Sequence, residues 1–134
     1  MPPHSKRCIP LSPDTELIVV QAIIKGPASW QLLDLALDTG TTLTLIPPET
    51  AAAIGYRPET SMERFEITVA GSRVEAPVIT IQSLTVLGRT VRNLNVICHT
   101  LPSSSPVNGL LGLNFMRQFN VLLRFRSGRL ELTR

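Results

Sequence analysis

The sequence predicts an all-β protein, and three features of its composition support this fold class. Of the 134 residues, 43% are apolar, which is enough to form one hydrophobic core. Aromatic residues make up only 4%, so this core must consist mainly of Leu, Ile and Val. Finally, 11 prolines and 8 glycines divide the chain into short apolar runs, a pattern typical of strands joined by turns.

The first residues, 1–14, are predicted to form an arm without regular structure, and residues 15–134 a single domain. Four prolines interrupt the arm, and proline fits poorly inside a helix or a sheet. Residues 15–24 are rich in β-branched side chains and predict a buried strand. The Lys-Gly-Pro sequence that follows predicts a turn, after which a second strand is expected at Trp30–Leu37.

The rest of the chain predicts further strands and two short helices. Residues 50–54 follow two prolines and a glutamate and precede a glycine, which are the residues favoured at helix ends. In the second helix, residues 113–119, apolar side chains recur at helical spacing. Strands are predicted at residues 43–46, 65–69, 73–81, 84–87, 91–97, 121–125 and 129–133.

An acidic residue, Asp38, interrupts two apolar runs in the sequence LALDTGTTLTLI of residues 35–46. A carboxylate loses its hydration in an apolar β segment, so we expect Asp38 to lie in a turn that supplies backbone and hydroxyl donors. Two roles fit such a residue. It either only accepts hydrogen bonds that hold the turn, or it performs chemistry.

The triplet Asp38-Thr39-Gly40 resembles the active-site triplet of aspartic proteases. Leu110-Leu111-Gly112, followed by the helical sequence LNFMRQF, resembles a second mark of these enzymes, two apolar residues and a glycine before a short helix. Pepsin-like enzymes contain two triplets in one long chain, whereas this chain has one. It is therefore similar to the single-lobe retropepsin-like proteases, over about residues 17–132.

This resemblance implies a closed retropepsin-like β-barrel that forms a homodimer, in which each chain contributes its Asp38 to a catalytic pair. The chain would then be an aspartic endopeptidase that acts on peptide or protein substrates and needs no metal or organic cofactor. A hairpin predicted after residue 64 would be the flap over the substrate, although the hairpin taken by itself is more typical of an ordinary protein surface. Its tip would consist of Val69, Ala70, Gly71 and Ser72.

The resemblance also implies roles for the residues next to Asp38. Thr39 would bond through its hydroxyl to the partner's active-site loop, and Gly40 would let a substrate backbone approach closely. We expect the hydroxyl of Thr41 to hydrogen-bond Asp38, which would favour activity at more acidic pH. In the terminal strands, the apolar side chains of Leu130 and Leu132 are candidates for the dimer interface.

A second hypothesis is a catalytically silent protease-like module for dimerisation or peptide binding. Composition argues against several other classes. The basic residues are scattered and the net charge is only +3, so we expect no nucleic-acid partner. No apolar run is long enough to span a membrane and no signal peptide is recognisable, so a soluble cytoplasmic protein is expected.

The cysteines and histidines suggest no site of their own. Cys8 and Cys98 provide neither a disulfide framework nor a metal site, and Cys98 is expected to be a small buried apolar residue. His4 and His99 have no partner at the spacing of metal ligands or of a catalytic triad, so both are expected to face solvent or to bond locally.

Overall fold

The structure, a computed structural model, describes residues 8–10, 17–69 and 71–134. This part of the chain is mostly β, with two short α-helices, α1 (Pro48–Ala53) and α2 (Leu113–Met116), and one 3₁₀ turn at Pro58–Thr60. The strands are β1 (Cys8–Pro10), β2 (Val19–Lys25), β3 (Trp30–Leu37), β4 (Thr44–Ile46), β5 (Arg64–Val69), β6 (Ser72–Val86), β7 (Arg89–Cys98), β8 (Gly109–Leu111), β9 (Asn120–Arg124) and β10 (Arg129–Thr133).

Six of these strands form a closed barrel. Their order is β2-β3-β8-β4-β7-β6, and the barrel closes because β6 also pairs with β2. The β3–β8 and β4–β7 pairs are parallel, whereas β8 and β4 are antiparallel where they meet. Closure gives each barrel strand a partner on both sides over part of its length.

The barrel interior is aliphatic, as the composition predicted. Side chains of β2 and β3 alternate between the interior and the surface, which places Val20, Ala22 and Ile24 inside. The aromatic side chain of Phe115 is also fully buried. Full burial of one Val, Leu, Ile or Phe side chain stabilises a fold by about 1.5–3 kcal/mol. The alternating apolar residues of the strands therefore favour the closed barrel.

The strand β6 is longer than the sequence predicted. Residues 73–81 and 84–87 were expected to be separate strands, but Ser72–Val86 is continuous. The polar pair between them, Gln82 and Ser83, does not interrupt pairing, because Ser83 lies opposite both Arg92 of β7 and Lys25 of β2. One strand therefore belongs to the barrel at its end and to a hairpin at its beginning.

This hairpin joins β5 to the first part of β6 and extends the sheet beyond the barrel. The pairing runs from Arg64 opposite Pro77 to Val69 opposite Ser72. The turn therefore contains only residues 70 and 71, and Gly71 has a φ of +80°, which favours glycine. The hairpin lies where the sequence predicted it, whereas Ala70 of the predicted tip is outside the described residues.

A separate three-stranded sheet has the order β1-β10-β9. Cys8–Pro10 was expected to be irregular and instead forms β1, an edge strand, where proline is tolerated because one side of the strand needs no donor. The rest of the predicted arm, residues 1–7 and 11–14, lies outside the described residues.

The expectation that Leu130 and Leu132 serve a dimer interface is wrong. Alternation along β10 points both side chains inward, and they are 0% and 1% exposed within the chain's own core. In the same sheet, Leu122 of β9 is 44% exposed. The inward face of this small sheet therefore completes the core of a single chain.

The two helices occupy the predicted positions, but the second is shorter than expected. It ends at Met116, because the next backbone bonds, from Gln118 to Phe115 and from Phe119 to Met116, form tight turns that lead into β9. The Phe115 and Phe119 rings still pack together, with centroids 5.2 Å apart. Across the described part of the chain, none of the helices has the length and apolarity needed to cross a membrane.

Candidate active site

The two sequence motifs of the candidate site meet at the end of β3. Here β8 lies between β3 and β4, so that Leu37 pairs with Leu111 and Leu45 pairs with Leu110. The backbone N–H of Asp38, the residue after Leu37, donates to the carbonyl of Leu111 at 3.0 Å. Leu110 and Leu111 therefore pair with the strand that leads to Asp38.

The start of α2 also forms hydrogen bonds with the loop that follows Asp38. The amide of Leu113 donates to the carbonyl of Thr41 at 2.9 Å, and the amide of Asn114 donates to the carbonyl of Thr42 at 3.0 Å. These bonds use amides at the start of a helix, which have no partner within the helix itself. The active-site loop is consequently fixed at both of its ends.

The Asp38 carboxylate is half-buried and is oriented by its own loop. Its Oδ1 accepts a hydrogen bond from the backbone N–H of Gly40 at 2.8 Å. A Cβ on Gly40 would lie 3.1 Å from the same oxygen, so a larger residue would crowd this bond. Thr39, between the two, is exposed. The triplet thus holds one carboxylate in place and leaves a hydroxyl residue at the surface.

Thr41 does not bond Asp38 as the sequence suggested. Its hydroxyl donates to the carbonyl of Leu43, at 3.0 Å. Since a hydroxyl has one hydrogen to donate, this bond closes the loop onto itself and leaves the aspartate to the Gly40 amide. The expectation of a more acidic working range, which depended on a Thr41–Asp38 bond, loses its basis.

A buried polar network beneath the loop was not predicted. The side-chain oxygen of Asn114 accepts from both the backbone N–H and the hydroxyl of Thr44, each at 3.0 Å. The Thr44 hydroxyl in turn accepts from the backbone N–H of Gly112 at 3.0 Å, and the Asn114 amide donates to the carbonyl of Asn95 at 2.7 Å. Thr44 is fully buried. A threonine within the apolar run of β4 was the sequence feature that could have predicted this network, because a buried hydroxyl needs a partner.

Asp38 lines a cleft of about 550 Å³ between its own loop and the β5–β6 hairpin. Apolar side chains and threonines together form most of its walls, and its ionisable side chains are Asp38, Glu66 and His99. The cleft is lined by Asp38, Gly40, Thr41, Thr42, Leu45, Phe65, Glu66, Ile67, Thr68, His99, Thr100, Leu101, Pro102 and Leu110. Among the predicted tip residues, Gly71 and Ser72 do not line it.

The second carboxylate on the wall differs in character from Asp38. Glu66 lies on β5, its side chain is 57% exposed, and it pairs with Arg73 across the hairpin at 3.5 Å. A pair this exposed contributes little to stability and does not fix the carboxylate. In the described residues, His, Cys, Asp and Glu side chains form no group of three suited to a metal ion.

Comparisons with known proteins agree with this geometry. The family described as "gag-polyprotein putative aspartyl protease" matches residues 23–118, well over half of the chain. The chain therefore belongs to this gag-type aspartyl protease family.

A solved structure, the retropepsin-like aspartic protease from Rickettsia conorii, is similar with a TM-score of 0.71 and 17% sequence identity, covering 93% of this chain and 87% of that chain. At this identity the likeness shows a common fold, so the chain has the retropepsin-like fold that the sequence predicted. No curated protein sequence matches the chain significantly.

Proposed function

We propose that the protein is an aspartic endopeptidase whose catalytic pair consists of Asp38 from each of two identical chains. The observation that carries this proposal is the placement of Asp38. Its carboxylate is held at 2.8 Å by the Gly40 amide, its backbone is tied to Leu111, and it faces a cleft of about 550 Å³. A carboxylate that served only the turn would not require such a cleft.

The chemistry requires a second carboxyl group. One group must take a proton from water while another supplies a proton to the substrate, and two carboxyls that share a proton can do both. Glu66 is unsuited to this task, because it is exposed and lies on the hairpin. We therefore assign the second group to Asp38 of a second copy, as the retropepsin-like fold suggests.

In the proposed reaction, the ionised Asp38 removes a proton from water, and the resulting hydroxide adds to the carbonyl carbon of the substrate. The protonated Asp38 of the other chain donates its proton to the carbonyl oxygen. The tetrahedral intermediate then collapses as the nitrogen takes a proton from the pair and the C–N bond breaks. One hydroxyl of the former carbonyl carbon returns a proton to the pair, so the products are a carboxylic acid and an amine, and the dyad regains its single shared proton.

The β5–β6 hairpin is proposed to act as the flap. It borders the cleft through residues 65–68, and its pairing ends with Val69 opposite Ser72, next to Gly71 with its φ of +80°. A substrate would lie as an extended strand between hairpin and loop. The aliphatic walls favour apolar side chains on either side of the cleaved bond. Thr39 is exposed, which suits the proposed bond to the partner's loop.

The test is cleavage of a peptide library by the wild type and by Asp38→Asn. The wild type should cut peptides with apolar residues at the cleavage site, and Asp38→Asn should reduce kcat by at least about a thousandfold, since the water would lose its base. Asp34→Asn is the matched control, because Asp34 is an exposed residue of the same strand that does not line the cleft. Equal cleavage by wild type and Asp38→Asn would refute the proposal, and peptide binding without cleavage would favour the silent module.

A further inference from the structure

His99 lies at an unexpected place, on the wall of the Asp38 cleft. It directly follows the buried end of β7, and its backbone N–H donates to the carbonyl of Ile46 at 3.1 Å. This bond fixes the residue beside the end of β4. The residue is half-buried, so its ring is part of the wall and is not an outward surface group.

The imidazole of His99 has no hydrogen-bond or ion-pair partner among the described residues. In either of its neutral forms the ring carries one N–H donor, and the protonated ring carries two. Among the described residues, neither ring nitrogen of His99 is a buried atom without a partner, so the N–H is accessible from the cleft and can donate to a ligand bound there.

The remaining groups of the cleft do not provide this acceptor or compete for the same ligand. Leu45, Leu101 and Leu110 are apolar, and Glu66 already has Arg73 as its ionic partner. The other ionisable side chains that line the cleft with His99 are acidic. Asp38 lies on the loop after β3, Glu66 lies on β5, and Glu49 of α1 borders a neighbouring depression together with Thr100. These acids disfavour an acidic ligand, so any preference for one must come from the imidazole.

We propose that His99 is a specificity-determining residue that selects substrates with an acidic side chain, Glu or Asp, at a position away from the cleaved bond. The inference rests on the proposed peptidase function, and it adds one polar requirement to an otherwise apolar cleft. A charge-assisted hydrogen bond is about twice as strong as a neutral one, so a carboxylate is favoured over the amide of equal shape.

The experiment compares peptide pairs that differ only in Glu or Gln, with the variable residue moved along the peptide one position at a time. At pH 5.5, we expect kcat/KM for one Glu peptide to exceed that for its Gln partner by about five- to twentyfold, mainly through KM. His99→Gln should reduce this ratio to within about twofold. Arg92→Gln, which removes an exposed cation of β7 outside the cleft, should keep the preference. The inference would be overturned if the Glu-to-Gln ratio of kcat/KM stayed the same in His99→Gln, or if this ratio did not exceed two at any position in the wild type.

Binding to the Asp38→Asn variant separates this inference from the proposed function. The Kd of the same peptides can be measured without hydrolysis, with and without His99→Gln. Tighter binding of a Glu peptide that depends on His99, in a protein whose wild type cuts nothing, would refute the peptidase and support the selection. Cleavage that does not depend on His99 would support the peptidase and refute the selection of acidic side chains. Absence of both binding and cleavage would overturn both proposals.

Discussion

The backbone N–H of Asp38 donates a hydrogen bond to the carbonyl oxygen of Leu111, with the two atoms 3.0 Å apart. This bond joins two motifs that are far apart in the sequence and makes them one structural unit. Because β8 is inserted between β3 and β4, the loop that carries Asp38 cannot move without breaking pairing on both sides. The site should therefore respond to changes beneath the loop as well as within it.

The first prediction concerns the polar network under the loop. Asn114→Ala removes the acceptor of both the amide and the hydroxyl of Thr44, a fully buried residue. Unsatisfied buried donors are costly, so we expect the free energy of unfolding to fall by about 2–4 kcal/mol in urea denaturation. Asn120→Ala, which loses one exposed bond to the carbonyl of Arg134, is the control and should cost less than about 0.5 kcal/mol. Similar losses in the two variants would contradict the assigned role of Asn114.

The second prediction concerns the close approach of Gly112 to β4. A Cβ at this position would lie 2.6 Å from the carbonyl carbon of Leu43 and 2.7 Å from the amide nitrogen of Thr44. Both atoms are backbone, so Gly112→Ala must push the strands apart, and we expect a loss of stability of about 3 kcal/mol or more. At Gly71 a Cβ would meet nothing within 4 Å, so Gly71→Ala should cost only the about 1–2 kcal/mol of its left-handed conformation. Thermal denaturation of both variants tests this order, and a smaller loss for Gly112→Ala would contradict it.

The third prediction concerns the thiol of Cys98, which burial makes unreactive. Desolvation raises the pKa of Cys98 to about 12, so at pH 8 the reactive thiolate is about one part in 10⁴. In a Cys8→Ser background, a thiol reagent should modify Cys98 only as fast as the protein unfolds, and immediately in denaturant. Fast modification of the native protein would show that Cys98 is accessible.

The same shift has a consequence for stability at alkaline pH. The thiol ionises from about pH 9 in the unfolded chain, but only near pH 12 in the folded one. The unfolded state therefore binds fewer protons in this range, and the free energy of unfolding falls as the pH rises through it. Cys98→Ala should weaken this dependence, which urea denaturation at pH 8 and pH 10.5 would measure. An unchanged dependence would contradict the assignment.

The strands whose bounds were predicted correctly are those that a local sequence pattern determines. The bounds of Trp30–Leu37 and Arg129–Thr133 were predicted because each has a regular apolar pattern between turn signals. The family resemblance identified the motifs of Asp38 and Leu111 but did not predict the bond between them, since no local rule brings these motifs together.

Long-range contacts account for the errors. β1 forms because β10 provides a partner, and Ser72–Val86 remains one strand because two neighbours pair with Ser83. The Thr41 hydroxyl bonds Leu43 because the loop folds back on itself, and His99 reaches the cleft because β7 pairs with β4. Hydrogen-bond choice and side-chain direction at the ends of strands depend on such contacts, which a single sequence does not encode locally.

The central claim is that two copies of Asp38 form one active site, and subunit mixing tests it most directly. Wild-type and Asp38→Asn chains are mixed in varied ratios at constant total concentration, allowed to exchange, and assayed on one peptide. If each site needs Asp38 from both chains, activity follows the square of the wild-type fraction, so an equal mixture retains about a quarter. Activity that falls in direct proportion, leaving about half, would contradict the shared catalytic pair.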